Sequence, residues 1–411
     1  MSLASLARRH RNEFGLLLAV LVVWGIAFAL NDAWQARTSY NAQILIRQAS
    51  VLGIFALGAG VVIIAGGIDL SAGSVIAFSA TACAATLLFL VDVDSAGRPD
   101  TRHLEAWMVA VAIAVTLLVA FLIGTFHAWL ITAIRLPPFV ATLASLVGLR
   151  SFARILIPDL TSAASSGAGI ASKITIQDQE KVLRGLYSEW YIPPLILLVL
   201  AFVVWILLSK SIAGRHLYAM GGNEEAARLS GIRTDRLKWL AYCVGSMTAG
   251  IAGILMLAET GSADPSSQAL GYELNAIAAA VIGGCALTGG IGTVPGILLG
   301  ALFLRVVTDS VAKLARGQVS PDELEGLVVG SLVLLAVAFN ELRAGSGLRR
   351  PFFAGWLGIV TIGILSVLVG SVTALLVGEE KLRTGLIAAG LALIVLAAKK
   401  AMEVRSVSRM A

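Results

Sequence analysis

Runs of about twenty apolar residues recur along this chain, separated by short charged stretches, and each is long enough to cross the hydrocarbon core of a bilayer as a helix. In hydrocarbon no water can satisfy a bare amide, so every backbone group must be bonded within the protein. The expected fold is therefore all-α, a polytopic membrane helix bundle. Composition removes the soluble alternative: 58% of the 411 residues are hydrophobic and 14% charged, against about 25% charged in a soluble domain. The excess of 31 Lys and Arg over 25 Asp and Glu reads as membrane topology and does not point to a nucleic-acid partner.

The apolar segments lie near 14–31, 44–65, 73–91, 106–134, 137–157 and 192–209, then 238–258, 272–286, 294–314, 323–340, 352–377 and 384–399. The eighth is short. About ten form a core over 1–340, and 341–411 is an extension with two further helices and a basic tail. Arg8, Arg9 and Arg11 precede Phe14 to Leu30, which ends in Ala27-Phe28-Ala29 like a signal peptide. The run is long enough to span, and many more follow, so an uncleaved first helix starting in the cytoplasm is expected.

That choice places 210–238 inside, with Lys210, Arg215, Arg228, Arg233, Arg236 and Lys238, and the positive-inside rule agrees. It agrees again at Arg343, Arg349 and Arg350, and at Lys399, Lys400, Arg405 and Arg409, whereas 259–273 carries no Lys or Arg. Both termini are expected to face the cytoplasm. The longest outer connection, 158–191, mixes Lys173, Lys181 and Arg184 with Asp159, Asp178, Glu180 and Glu189, as a solvated loop does. Asp92, Asp94 and Asp100 are a poor match to a calcium loop. Cys83, Cys243 and Cys285 form no CxxC pair and lie in apolar or small-residue segments, so they read as buried packing residues. No metal and no cofactor is implied.

The most specific stretch is 214–232, GRHLYAMGGNEEAARLSGI, between two segments on the inner side. Asn223 is suited to cap a short helix whose acids, Glu224 and Glu225, sit at the positive end of its dipole, and Gly231 to end it in a left-handed turn. Such a capped polar helix suits docking of a partner. Here the chain resembles the permease subunits of bacterial ATP-binding-cassette importers for ribose, xylose and similar monosaccharides. Glu225, Ala226, Ala227 and Gly231 match their coupling pattern, an EAA triplet followed by glycine after three residues. Three further stretches match in the same order: 67–74 (GIDLSAGS), 136–143 (LPPFVATL) and 271–284 (GYELNAIAAAVIGG). The resemblance runs from about residue 40 to 340.

It implies a dimeric pore, built with a second copy or a paralogue, fed from outside by a sugar-binding protein and driven from inside by an ATPase subunit. The location implied is the inner membrane, in contact with lipid. The coupling residues are then Glu224, Glu225, Ala226, Ala227, Arg228 and Gly231. The residues alone support the division of labour: no GxxxxGK[ST] and no Gly-Lys dipeptide occurs, so no Walker A phosphate cradle can form. Relatives of this kind usually stop near 341, where the extension begins.

Asp69, Ser71, Ser74, Glu273 and Asn275 are the path candidates, offering acceptors and hydroxyls to a polyol. Asp69 reads first as the N-cap of the third segment once Gly66-Gly67 end the second, a role compatible with the path. Thr288, Thr308 and Asp309 are as suited to knitting helices together as to touching solute. Gly292, Gly296 and Gly300 form tandem GxxxG spacings that allow close helix approach. Gly66 to Gly73 also echoes Gly283 to Gly290, a pair of interruptions expected on one side of the membrane.

The rival reading is a secondary transporter driven by an ion gradient, which would carry its own coupling carboxylates in the membrane. An importer permease for amino acids or nucleosides is a nearer alternative. An intramembrane glycosyltransferase or hydrolase needs clustered acids or metal ligands, and His10, His103, His127 and His216 are scattered.

Overall fold

Each apolar segment contains a helix in the computed structural model, which describes residues 11–30, 34–35, 37–165, 171–314, 325–334, 355–376 and 380–407. In chain order these are α1 (Arg11–Leu30), α2 (Thr38–Ile64), α3 (Ala72–Leu90), α4 (Ala106–Thr132) and α5 (Pro138–Ala164). There follow α6 (Gly185–Ser188), α7 (Ile192–Lys210), α8 (Ile212–Gly222), α9 (Glu224–Leu229) and α10 (Thr234–Thr260). The last are α11 (Tyr272–Ile282), α12 (Val294–Leu314), α13 (Glu325–Leu334), α14 (Gly355–Leu376) and α15 (Lys381–Val407). Eight of the described helices are long and apolar enough to cross a membrane. The expected boundary at 340/341 and Arg8, Arg9, Arg343, Arg349, Arg350 and Arg409 lie outside the described residues.

The chain divides into two units, one of residues 1–309 with 329–336 and one of 310–328 with 337–411. In the first, α2, α3 and α10 form the centre: 83%, 72% and 78% of their apolar windows are buried, against 28%, 33% and 22% for α4, α5 and α7. The latter three leave much of their surface exposed. In the second unit α14 and α15 pair as a hairpin through small residues, where a Cβ on Gly370 would lie 2.6 Å from the Gly385 carbonyl.

Two expectations need correction. The eighth segment, 272–286, is helical only over α11, whose 11 residues reach about 16 Å at 1.5 Å per residue. That is half of the ~30 Å core, and its apolar composition conceals the interruption. The outer connection 158–191 is likewise more than a solvated loop. Helix α5 runs through Pro158 to Ala164, and a two-residue strand β1 (Ile174–Thr175) pairs antiparallel with β2 (Ser262–Ala263).

Asp178, buried, then accepts from the Val182, Leu183 and Arg184 amides at 3.1, 2.8 and 2.7 Å. Arg47 of α2 donates to the Tyr187 and Ser188 carbonyls at 3.3 and 3.1 Å and lies over the Tyr187 ring. Burial raises the Tyr187 phenol above its ordinary range. Asp94 is used by the Ala96 and Arg98 amides, and Asp100 by Arg102, whose hydrogen bonds hold the Asp100 carboxyl well below the usual carboxylate range. Local turn chemistry thus accounts for both acids. All three cysteines are buried and free, and no group of three metal-ligating side chains occurs among the described residues.

Candidate functional site

The 214–232 segment folds as two helices rather than one. Ser211 caps α8 by accepting from the Gly214 amide at 2.9 Å. Asn223 caps α9 by accepting from the Ala226 amide at 2.9 Å, with Glu224 and Glu225 in the first turn. At the other end Gly231 takes φ +84°, the Gly231 amide bonds the Arg228 carbonyl at 3.0 Å, and the Ile232 amide bonds the Ala227 carbonyl at 3.1 Å. Those two bonds are a Schellman closure, which needs a residue free to adopt the left-handed conformation. Nothing lies within 4 Å of where a Gly231 side chain would begin.

Ala227 faces inward, whereas Glu225, Ala226, Arg228 and Leu229 are exposed, Leu229 by 84%. An apolar side chain displayed beside an acid and a base is a feature that sequence reasoning misses. Its signal was a leucine two positions after the one buried alanine of a polar helix. Lys238, expected only as a topology marker, forms an ion pair with Glu224 at 2.6 Å and ties α9 to α10.

The end of the bundle that carries α8 and α9, the inner end in the expected orientation, is a junction of backbones. Helix α2 stops at Ile64, and Gly66 (φ +82°) turns the chain away. Helix α11 stops at Ile282, and the chain turns again at Gly284, Gly289 and Gly290 before α12. These two interruptions meet: the Gly290 amide donates to the Ile64 carbonyl at 3.0 Å. The end of α8 packs on both, because a Cβ on Gly221 would overlap the Ile64 carbonyl and lie 2.6 Å from the Gly290 nitrogen. A Cβ on Gly289 would lie 2.8 Å from the Gly66 Cα. Tyr218 of α8 adds a hydrogen bond from its hydroxyl to the Gly292 carbonyl at 2.8 Å.

The stretches 67–74, 136–143 and 271–284 converge above this junction. The Thr142 hydroxyl of α5 accepts from the Leu70 amide at 3.2 Å and donates to the Ile68 carbonyl at 3.3 Å. Ser74 donates to the Ser71 and Ser145 carbonyls at 2.7 and 3.2 Å. A Cβ on Gly73 would press on the Glu273 carboxylate and on the Ala269 carbonyl. The four stretches thus form one continuous region.

Asp69 is not the N-cap of α3, a correction to one reading of it; Ser71 holds that position. Asp69 lies two residues earlier, and its Oδ1 accepts from the Ser71 amide at 2.8 Å and the Ser71 hydroxyl at 2.5 Å, shaping the turn that leads into the helix. Asp69, Ser71, Ser74 and Glu273 are buried, at 5%, 0%, 0% and 8% exposure, while Asn275 is half-buried. The structure therefore brings Asp69, Ser71, Ser74 and Glu273 close together in the buried interior. Gly296 and Gly300 face α11, where a Cβ on either would overlap the Gly283 or Ala279 carbonyl. A Cβ on Gly292 would lie 2.6 Å from the Cys285 sulfur. Thr308 donates to the Arg305 carbonyl of its own helix at 3.2 Å.

The family model described as branched-chain amino acid transport system / permease component matches residues 41–337. The chain is 33% identical over 325 residues to the ribose import permease protein RbsC of Bacillus subtilis, covering 79% of this chain and 92% of the relative. It is 29% identical over 337 residues to the galactose/methyl galactoside import permease protein MglC of Escherichia coli, covering 81% and 95%. It is 27% identical over 381 residues to the xylose transport system permease protein XylH of Escherichia coli, covering 79% and 92%. No solved structure matches.

Proposed function

Because this chain belongs to the family of transport-system permease components matched over residues 41–337, a transporter subunit of the inner membrane rather than an enzyme, we propose that it is the membrane-spanning permease of an ATP-driven monosaccharide importer. Three relatives are named for ribose, galactose and xylose import. A neutral polyol also suits a bundle whose candidate path residues offer hydroxyls and carboxylates. Ten core helices with both termini inside, a dimeric pore, a sugar-binding protein outside and an ATPase inside complete the reading. Residues 1–340 form the permease, and 341–411 add a two-helix extension.

The observation that carries the proposal is the capped, exposed helix α9 joined through α8 to the two helix interruptions. An ATPase that grips Glu225, Arg228 and Leu229 pulls on α8, and α8 has its backbone against both interruptions. Closure of the ATPase thereby shifts the ends of α2 and α12 together. Asp69, Ser71 and Ser74 follow the turn after α2, Glu273 and Asn275 lie at the other end of α11 from its interruption, and the five would meet the solute.

The test is the paired variant Arg228→Glu, Leu229→Glu, both positions being exposed. It should reach the membrane at the parental level yet lose association with the ATPase and lose uptake. Retention of both at normal expression would remove α9 from the coupling role. An ion-coupled secondary transporter would also retain uptake with that variant and be blind to vanadate.

A further inference from the structure

Buried polar side chains in this bundle are as a rule bonded. Ser50, Thr81, Thr116 and Thr132 each donate to the carbonyl four residues back in their own helix. Arg150 of α5 donates to the Pro265, Gln268 and Ala269 carbonyls of the non-helical 264–271 stretch at 2.8, 2.7 and 3.2 Å. Ser79, His127 and Ser246 break the pattern. They are 0%, 0% and 1% exposed, yet neither hydroxyl and neither ring nitrogen of His127 has a hydrogen-bond partner.

The three lie on one seam, where α10 meets α3 and α4. The His127 ring of α4 meets the Tyr242 ring of α10 edge to face, with centroids 6.4 Å apart. Ser79 of α3 sits beside Gly250 of α10, where a Cβ would lie 3.7 Å from the Ser79 hydroxyl. Ser246 falls four residues from both Tyr242 and Gly250, and so on the same face of α10. From Tyr242 to Gly250 the seam runs about 12 Å along the helix. Glycines close it: a Cβ on Gly124 would lie 2.7 Å from the Cys243 Cα, and one on Gly250 2.7 Å from the Ala120 Cβ. The helices touch, and the polar groups between them gain no bond.

A buried donor or acceptor without a partner raises the energy of the packed arrangement, because it has lost water and gained nothing. Parting α4 from α10 gives these groups partners. One end of the seam also abuts the glycine junction. A Cβ on Gly67 would lie 2.7 Å from the Tyr242 hydroxyl, which donates to the Ile68 carbonyl at 3.5 Å, and Gly66 packs on Gly221 of α8.

We propose that Ser79, His127 and Ser246 are gating residues of transport: they line a seam between α4 and α10 that is closed in this structure and opens when α8 displaces the turn at Gly66 and Gly67, presenting its imidazole and hydroxyls to the hydroxyls of a passing polyol. Imidazole and hydroxyl each donate and accept, as a sugar hydroxyl does. The proposal rests on the permease reading and adds to the candidates around Asp69 a lining that shows only when the helices part.

The experiment uses the full chain with its ATPase and binding protein in membrane vesicles, with radiolabelled ribose as the probe. Thr125→Cys places a thiol on α4 opposite the native Cys243 of α10, since the Thr125 hydroxyl lies 3.6 Å from the Cys243 sulfur. Oxidation should join the two, lower uptake at least about tenfold with ATPase association intact, and be reversed by dithiothreitol. The same oxidation of Thr125→Cys, Cys243→Ala should leave its uptake as it was. Uptake that persists in the cross-linked protein would overturn the opening. Ser79→Ala with Ser246→Ala, and separately His127→Phe, remove the unbonded groups. Each should raise the thermal midpoint of the full chain by about 2 °C and lower uptake about tenfold. That opposite movement separates gating from simple packing, for which midpoint and uptake fall together. A midpoint unchanged or lowered in both variants would overturn the proposal. If no disulfide forms, the midpoints decide alone. Absence of ribose uptake by the parent would count against the monosaccharide reading, and the midpoints would still decide the seam.

Discussion

In the proposed orientation, the inner and outer ends of the first unit are held together by different chemistry. At the inner end α8, the turn after α2 and the turn before α12 meet backbone to backbone, through Gly66, Gly221, Gly289 and Gly290, with a side-chain bond from Tyr218. At the outer end the backbone pairing of β1 with β2 is braced by side chains: Arg47 to Tyr187 and Ser188, Asp178 to three amides, and the Gln268 side-chain amide to the Ser262 carbonyl at 2.6 Å. A glycine junction has no rotamers to rearrange, so a displacement of α8 reaches both turns without first breaking a network. A side-chain network holds a fixed shape until a bonded group is removed. The glycine junction is thus the end suited to move as a piece, and the braced loops the end suited to stay put.

Breaking the inner end should have the largest effect. Gly221→Val forces a branched side chain into the Ile64 carbonyl and the Gly290 amide. Overpacking of this kind costs about 3 kcal/mol, and uptake should fall by about two orders of magnitude. Near-normal uptake by that variant would show that the junction is not in the line of force. Removing the outer acceptor is next: Asp178→Ala strips the Val182, Leu183 and Arg184 amides of their shared partner. Charged hydrogen bonds are worth roughly 1.5–3 kcal/mol. Proteolysis of 171–191 from the outside should accelerate while ATPase association stays intact. A loss of ATPase association would mean that the two ends are not independent.

Tyr218→Phe sharpens the comparison, because it deletes the side-chain bond from α8 to the Gly292 carbonyl and leaves the glycine contacts. A neutral hydrogen bond contributes about 1 kcal/mol, so uptake should drop about fivefold with ATPase association unchanged. The smallest effect is expected from Lys238→Ala. Its partner Glu224 is 42% exposed, and such pairs contribute about 0.2–1 kcal/mol. Uptake within about twofold of the parent is the outcome that fits, and a severe loss would assign the pair a role in docking.

Much of this was legible in the residues because it depends on short-range chemistry. Apolar length announced the helices, and Asn223 and Gly231 announced the two ends of α9 through capping and left-handed-turn preferences. What was not legible depends on contacts between distant parts. Arg150 lies 115 to 119 positions from the carbonyls it holds, so nothing near either partner signals the bond. The non-helical 264–271 stretch leads into GYELNAIAAAVI, whose composition reads as the start of a span. Asp69 falls two residues before the N-cap position, which Ser71 holds without a side-chain cap bond, while the Asp69 carboxylate takes the Ser71 amide and hydroxyl at the helix entry, a turn that composition does not distinguish from a cap. Leu229 was passed over because a single exposed leucine is ordinary until the helix that carries it is seen to be otherwise polar.

On the proposed function, the driving force reaches this bundle from a separate ATPase through α8 and α9. Solute uptake by the purified chain in proteoliposomes tests this, first alone under a proton or sodium gradient and then with its ATPase, binding protein and ATP. No uphill transport is expected in the first case and vanadate-sensitive accumulation in the second. Accumulation by the chain alone on an ion gradient would exclude coupling to an ATPase.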